Sequence, residues 1–174
     1  DALARVQRLT TVMVVLSAQD AEFERHAPTF TGRVARCGGA TRAQTVVNGI
    51  TELLRQGARP DDWVLVHDAA RPCLARSDLR ALFAAVGDDP VGGLLAAPVG
   101  DTLKAAGRDG RAERTVSREG LWRALTPQMF RYGVLVRACA EPGAMEATDE
   151  SSLVERLAAR GACTMPRLVM GSRA

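Results

Sequence analysis

Apolar positions along the 174 residues switch between two rhythms. The run at 10–16, Thr-Thr-Val-Met-Val-Val-Leu, is β-branched and continuous, which predicts a strand covered on both faces. Ser-Ala-Gln-Asp then marks a turn. A shorter strand is expected at 33–37, running into Gly38 and Gly39. From 41 to 55 the spacing becomes helical through Val46, Val47, Ile50, Leu53 and Leu54, and Gly57 closes that helix. The run 63–67 predicts another buried strand. Ser77 is placed to N-cap a helix through Ala85, and 92–98 predicts a further strand. Strand and helix in alternation predict right-handed crossovers and a doubly wound α/β sheet that is mostly parallel.

The rhythm changes at 101. Residues 101–106 and 112–117 flank Gly-Arg-Asp-Gly, a turn signal that predicts a hairpin. Its strands are polar on both faces: Thr102, Lys104 and Ala106 share one side and Asp101, Leu103 and Ala105 the other. A lone two-stranded hairpin is marginal, so a partner chain is expected to complete its packing. Beyond it lie the segment 121–130, a helix expected from Tyr132 to about Ala140, a loop through Pro142 and Gly143, and a helix from Asp149 to about Arg160. Residues 1–8 read as the second half of an amphipathic helix with more chain before it. No internal repeat or linker divides the sequence, and one domain is expected.

Composition sharpens this picture. The chain is 47% apolar but only 4% aromatic, so its core must be built from Ala, Val and Leu. The net charge of +3 is spread as arginines among acids, with Lys104 the only lysine. Nucleic-acid binding, which needs clustered positive charge, is not expected. Cys37, Cys73, Cys139 and Cys163 lie far apart, and His26 and His67 have no ligand spacing towards them, so no structural zinc is expected. Without a signal peptide or a membrane-length apolar run, a reduced cytoplasmic protein with no membrane partner is the expectation.

Candidate chemistry centres on Val-Leu-Val-His-Asp-Ala-Ala-Arg-Pro-Cys at 64–73. A strand there delivers Asp68 to its carboxyl end, where open α/β sheets bind ligands. Asp68 suits a metal ion or a ribose hydroxyl, and Arg71 an anion or a pairing with Asp68. An aspartate that caps the next turn explains the position equally well. Gly-Gly-Ala-Thr-Arg-Ala-Gln-Thr at 38–45 opens a helix whose amides suit phosphate or a stacked base. A plain turn with an N-cap accounts for it too. Thr102 and Lys104, Arg118, and Thr148 with Asp149 are each ordinary as a hairpin surface, a surface arginine and a helix cap.

Taken in order, the strings His-Asp-Ala-Ala-Arg-Pro, Gly-Gly-Ala-x-Arg-x-x-Thr, Asp-Thr-x-Lys, Leu-Trp-x-Ala-x-Thr-Pro-Gln-x-Phe and Ala-Thr-Asp-Glu-Ser-Ser resemble the 2-C-methyl-D-erythritol 4-phosphate cytidylyltransferases. The resemblance implies a three-layer, Rossmann-like nucleotidyltransferase domain with an extended β-hairpin arm for dimerisation. It implies transfer of CMP from CTP to a sugar-alcohol phosphate, 2-C-methyl-D-erythritol 4-phosphate, with Mg2+ and in a homodimer. Gly38, Gly39, Thr45, Asp68 and Ala69 would then face the nucleotide, with Asp68 on the metal side. Thr102, Arg118 and Thr148 would line the pocket of the second substrate, and Arg71, placed to bind an anion, is expected on the same side. Arg118, on the arm that reaches the neighbouring subunit, would carry the catalytic role of positioning the attacking phosphate.

The resemblance also sets expectations through its departures. Family members begin with an Ala-Ala-Gly-x-Gly-x-Arg loop and a Pro-Lys-Gln string, and continue past Gly-Ser-Arg at 171–173 into Asn-Ile-Lys. These 174 residues contain none of those strings, so the chain by itself is expected to be inactive. Ala40 stands where an acidic residue is common. Two further readings stay open at this point: a ribitol 5-phosphate cytidylyltransferase, and a non-catalytic dimeric remnant.

Overall fold

The computed structural model describes residues 9–172; the helix expected at 1–8 lies outside them. In chain order the elements are β1 (Met13–Val15), α1 (Phe23–His26), β2 (Arg33–Ala35), α2 (Arg42–Arg55), β3 (Trp63–Val66), α3 (Arg76–Val86) and β4 (Gly92–Pro98). They continue with β5 (Leu103–Ala106), β6 (Ala112–Val116), β7 (Trp122–Arg131), α4 (Tyr132–Cys139), a 3-10 turn (Ala144–Glu146), α5 (Glu150–Ala159) and β8 (Arg167–Met170).

The central sheet has the order β3-β7-β4-β8. β7 runs antiparallel to both β3 and β4, and β4 pairs parallel with β8. Three of its four strands therefore point one way, with β7 reversed between them. β1 and β2 form a separate parallel pair. Helices cover both faces, which makes three layers. Phe130 of β7 packs with Ile50 of α2, Leu135 and Ala138 of α4, and Val154 and Leu157 of α5. Met129, pointing the other way, packs with Leu82 and Val86 of α3 and with Leu95, Ala97 and Val169. That alternation is the pleat at work.

Several sequence expectations are corrected by this arrangement. β1 and β3 are half-buried rather than fully covered. β3 lies at the edge of its sheet, and β1 has a single partner strand among the described residues. The helix expected to follow a Ser77 cap starts at Arg76 after Ala75, with no side-chain cap. Its phase is set instead by burying Leu79, Leu82 and Val86. Segment 121–130, which carries no clear period, is the longest strand, and its Pro127 explains the poor signal. Between the pairs Leu94 with Gln128 and Ala96 with Ala124 the register shifts. The proline sits in that irregular stretch, where a missing N–H costs no ladder bond. β8 and α1 are too short to stand out in the sequence, and only Val169 of β8 is buried.

Two glycines are required by close approach. Gly92 has φ 125°, and a Cβ there would meet the Met129 carbonyl oxygen at 2.1 Å. A Cβ on Gly38 would lie 2.8 Å from the Leu16 carbonyl oxygen, the acceptor of the Gly38 amide at 2.7 Å. The hairpin of β5 and β6 closes through Gly107 and Gly110 and among the described residues forms a two-stranded sheet of its own. Lys104 Nζ donates to Thr115 Oγ1 at 2.7 Å across the two strands.

Candidate active site

The carboxyl end of β3 and the N-termini of α2 and α5 converge on one guanidinium. Thr41 caps α2 by accepting the Gln44 amide, which makes Arg42 the first helical residue. Asp149 caps α5 in a capping box with Ser152, which makes Glu150 the first residue there. Arg42 grips Glu150 with two bonds, Nη1 to Oε1 at 2.8 Å and Nη2 to Oε2 at 3.1 Å. Its Nε donates to Asp68 Oδ1 at 3.0 Å, and its Nη2 lies 3.0 Å from the same oxygen. Both of those edges of the planar fork thus hold a carboxylate. Arg71 completes the group, with Nε 3.5 Å from Asp68 Oδ2.

Burial differs sharply within this cluster. The Glu150 side chain is 1% exposed, while those of Asp68, Arg42 and Arg71 are 28%, 37% and 51% exposed. Burial pushes the Glu150 carboxyl above its usual range, against the pull of the Arg42 bonds and charge. Burial also opposes the charge on Arg42, yet Glu150 and Asp68 together hold its pKa above the ordinary arginine value. The two-bond fork is the geometry of an ionised pair. Nearby, burial holds the Cys139 thiol at about 11, too high for a nucleophile near neutrality.

The loop after β3 is held by His67. Its Nε2 lies 3.0 Å from the Arg71 carbonyl, which can only accept, so Nε2 carries the proton. Nδ1 then accepts from Thr126 Oγ1 at 2.9 Å, and that oxygen accepts the Asp68 amide at 3.4 Å. The neutral tautomer satisfies this chain of bonds, and burial favours it by lowering the His67 pKa. Gln128, 1% exposed, donates to Asp149 Oδ2 at 2.9 Å and accepts the Ser151 amide at 2.7 Å. The Thr-Pro-Gln string therefore braces both the Asp68 loop and the start of α5.

The expected site residues divide into two groups. Gly38, Gly39, Thr45, Asp68, Ala69, Arg71 and Thr148 lie on the loops and helix starts that meet at Arg42. Thr45 Oγ1 accepts the Gly39 amide at 3.0 Å and donates to the Thr41 carbonyl at 2.9 Å, so its hydroxyl shapes the glycine turn. A cavity of about 280 Å³ opens beside this group, lined by His67, Arg71, Cys73, Asp78, Thr126 and Ser172 among others. Thr102 and Arg118 belong to the hairpin base instead. The Arg118 guanidinium donates to the Gly100 carbonyl, and neither residue has a bond to the Asp68 cluster among the described residues. Sequence reading missed Arg42, Glu150 and the bracing role of Gln128. Arg42 lies within the Gly-Gly-Ala-x-Arg-x-x-Thr string, but a glutamate at a helix start reads as an ordinary dipole partner.

The family model described as IspD, 2-C-methyl-D-erythritol 4-phosphate cytidylyltransferase, matches residues 1–174. The chain belongs to this family. A cytidylyltransferase of that description from Nitrosospira multiformis is 49% identical over 172 residues, covering 97% of this chain and 72% of the relative. Another from Pseudomonas entomophila is 57% identical over 136 residues, 77% of this chain and 56% of the relative. Among solved structures, a 4-diphosphocytidyl-2C-methyl-D-erythritol synthase superimposes with a TM-score of 0.87 at 42% identity, covering 98% of this chain and 77% of that one. The Francisella tularensis family member gives a TM-score of 0.80 at 26% identity, with coverages of 99% and 76%. Family membership confirms the nucleotidyltransferase reading of the mixed α/β sheet, and no described helix is long and apolar enough to cross a membrane.

Proposed function

We propose that the protein transfers CMP from CTP to 2-C-methyl-D-erythritol 4-phosphate and releases pyrophosphate. One observation carries this reading: four strings distant in sequence meet around Arg42 in a chain that belongs to this family. In the reaction an oxygen of the phosphate monoester bonds to the α-phosphorus of CTP while the bond to the bridging oxygen of pyrophosphate breaks. No covalent enzyme intermediate is needed. The protein's task is to bring two polyanions together and balance charge on the reacting oxygens.

In this proposal Gly38, Gly39 and Thr45 receive the cytidine, Asp68 and Ala69 lie at the ribose, and Arg71 and Thr148 face the polyol phosphate. Thr102 and Arg118 reach the site of a neighbouring subunit on the hairpin, whose mostly exposed strands form a two-stranded sheet of their own among the described residues. The working unit is a cytoplasmic homodimer. For magnesium the fit is limited. Among the described residues no group of three or more acids, histidines or cysteines is poised for a metal. Asp68 is the partly exposed carboxylate of the cluster, with one oxygen on Arg42 and the other only loosely paired to Arg71. That suits an ion whose other ligands are phosphate oxygens and water. When bound, Mg2+ would neutralise triphosphate charge, and Asp68 is the residue that would hold it.

The experiment is a pyrophosphate-release assay on the full-length protein with CTP, Mg2+ and either 2-C-methyl-D-erythritol 4-phosphate or ribitol 5-phosphate. Turnover with the first and little with the second is expected; no release with the first would overturn the proposal. The shared site is tested by mixing Arg118→Ala with Asp68→Asn protein under conditions of proven subunit exchange. Regained activity is expected, because one site of the mixed dimer keeps both residues.

A further inference from the structure

We propose that Glu150 is a positioning residue that aligns the nucleotide side of the site through Arg42, without touching substrate. The inference rests on the function proposed above. At 1% exposure the Glu150 carboxylate has no route to a ligand, and both its oxygens are spent on the Arg42 fork at 2.8 and 3.1 Å. What it governs is the direction of that fork. With the Nη1–Nη2 edge locked on Glu150, the Nε–Nη2 edge can aim at only one place, and Asp68 Oδ1 stands there at 3.0 Å. An arginine tied at one edge gives up its remaining side-chain freedom and presents the other edge ready-made.

The pairing also explains why two helix caps converge. Thr41 and Asp149 each place the residue after them at the first helical position, Arg42 on α2 and Glu150 on α5. Helix α2 follows the Gly38–Gly39 turn, and α5 follows Thr148. The fork therefore ties the segment proposed for cytidine to the segment proposed for the polyol phosphate, with Asp68 between them. A hydrophobic pair would join the helices at least as firmly, since a buried ion pair gains little net stability. What an apolar pair lacks is a second edge that orients Asp68. Two guanidiniums, Arg42 and Arg71, also balance the paired carboxylates of Asp68 and Glu150.

The test measures CTP affinity by calorimetry, with turnover recorded separately, for full-length protein carrying Glu150→Gln, Asp68→Asn, both together, or Arg42→Lys. Glutamine keeps the volume of Glu150 but loses the charge and half of the fork. Each single substitution at 150 and 68 is expected to raise the CTP Kd about 10-fold. The double variant should be no more than about 3-fold weaker than either single, because both act through one guanidinium. Arg42→Lys, which keeps the charge without the fork, should resemble the double. A merely structural role would reduce the folded, binding-competent fraction and leave the Kd unchanged, so a Kd within about 2-fold of the parent for Glu150→Gln overturns the proposal. So do effects that multiply in the double variant. Absence of turnover in the parent refutes the proposed reaction while the binding series still decides the role of Glu150; a parent that binds no CTP refutes both.

Discussion

Replacing Arg42 by methionine removes the guanidinium and keeps an unbranched chain of similar reach. Glu150 is then a carboxylate with 1% exposure and no cation. Stranding a buried charge costs about 3–5 kcal/mol, but the carboxyl can escape by taking a proton. From the ordinary glutamate value of 4.5, protonation at pH 7 costs 1.36 × (7 − 4.5), about 3.4 kcal/mol. That figure is the ceiling on the electrostatic loss at pH 7, and at pH 5.5 the same arithmetic gives about 1.4 kcal/mol. The sign follows from linkage. A carboxyl whose folded pKa is raised contributes fully below its unfolded value and loses that contribution as pH rises through the folded value. The deficit of Arg42→Met must therefore grow with pH above about 4.5, by up to roughly 1.36 kcal/mol per unit. Burial already displaces Glu150 upward in the parent, so the quantity to read is the extra slope that appears without the guanidinium. Urea unfolding of parent and variant at several values from pH 5 to 8 measures it. Adding Glu150→Gln to Arg42→Met should abolish the slope. A deficit independent of pH, or a slope that survives in the double variant, would refute the reasoning.

Two further outcomes follow from single contacts. Neutral His67 bridges Thr126 and the Arg71 carbonyl, and burial depresses its pKa from 6.5; the stability it contributes is present above that value and lost as pH falls through the folded one. The urea midpoint should therefore decline on acidification below about pH 6.5, and less so in His67→Asn. Gly92→Ala places a Cβ 2.1 Å from a backbone carbonyl at φ 125°, and should cost at least about 2 kcal/mol, seen as a thermal midpoint lower by 5 °C or so; a cost under about 0.5 kcal/mol would mean that β7 yields more readily than its packing suggests.

Elements whose signal is local are legible in the residues alone. Helix α2, with its Thr41 start and Gly57 stop, β4 at the predicted bounds, the hairpin turn and the Asp149 start of α5 all follow from side-chain periodicity and cap chemistry that act within a few residues. The same locality made the family legible, because its strings are short and ordered. The remainder depends on packing between distant segments. β7 is a strand because β3 and β4 flank it and because a register shift absorbs Pro127, and neither neighbour is visible from residues 121–130. Arg42, Asp68 and Glu150 form one unit although 26 and 108 residues separate the first from the others. A carboxylate at a helix start looks the same in sequence whether it faces water or a buried guanidinium. Only the packing of α5 beside α2 removes the water from Glu150, and that loss of solvent turns an ordinary helix-start glutamate into an anchor.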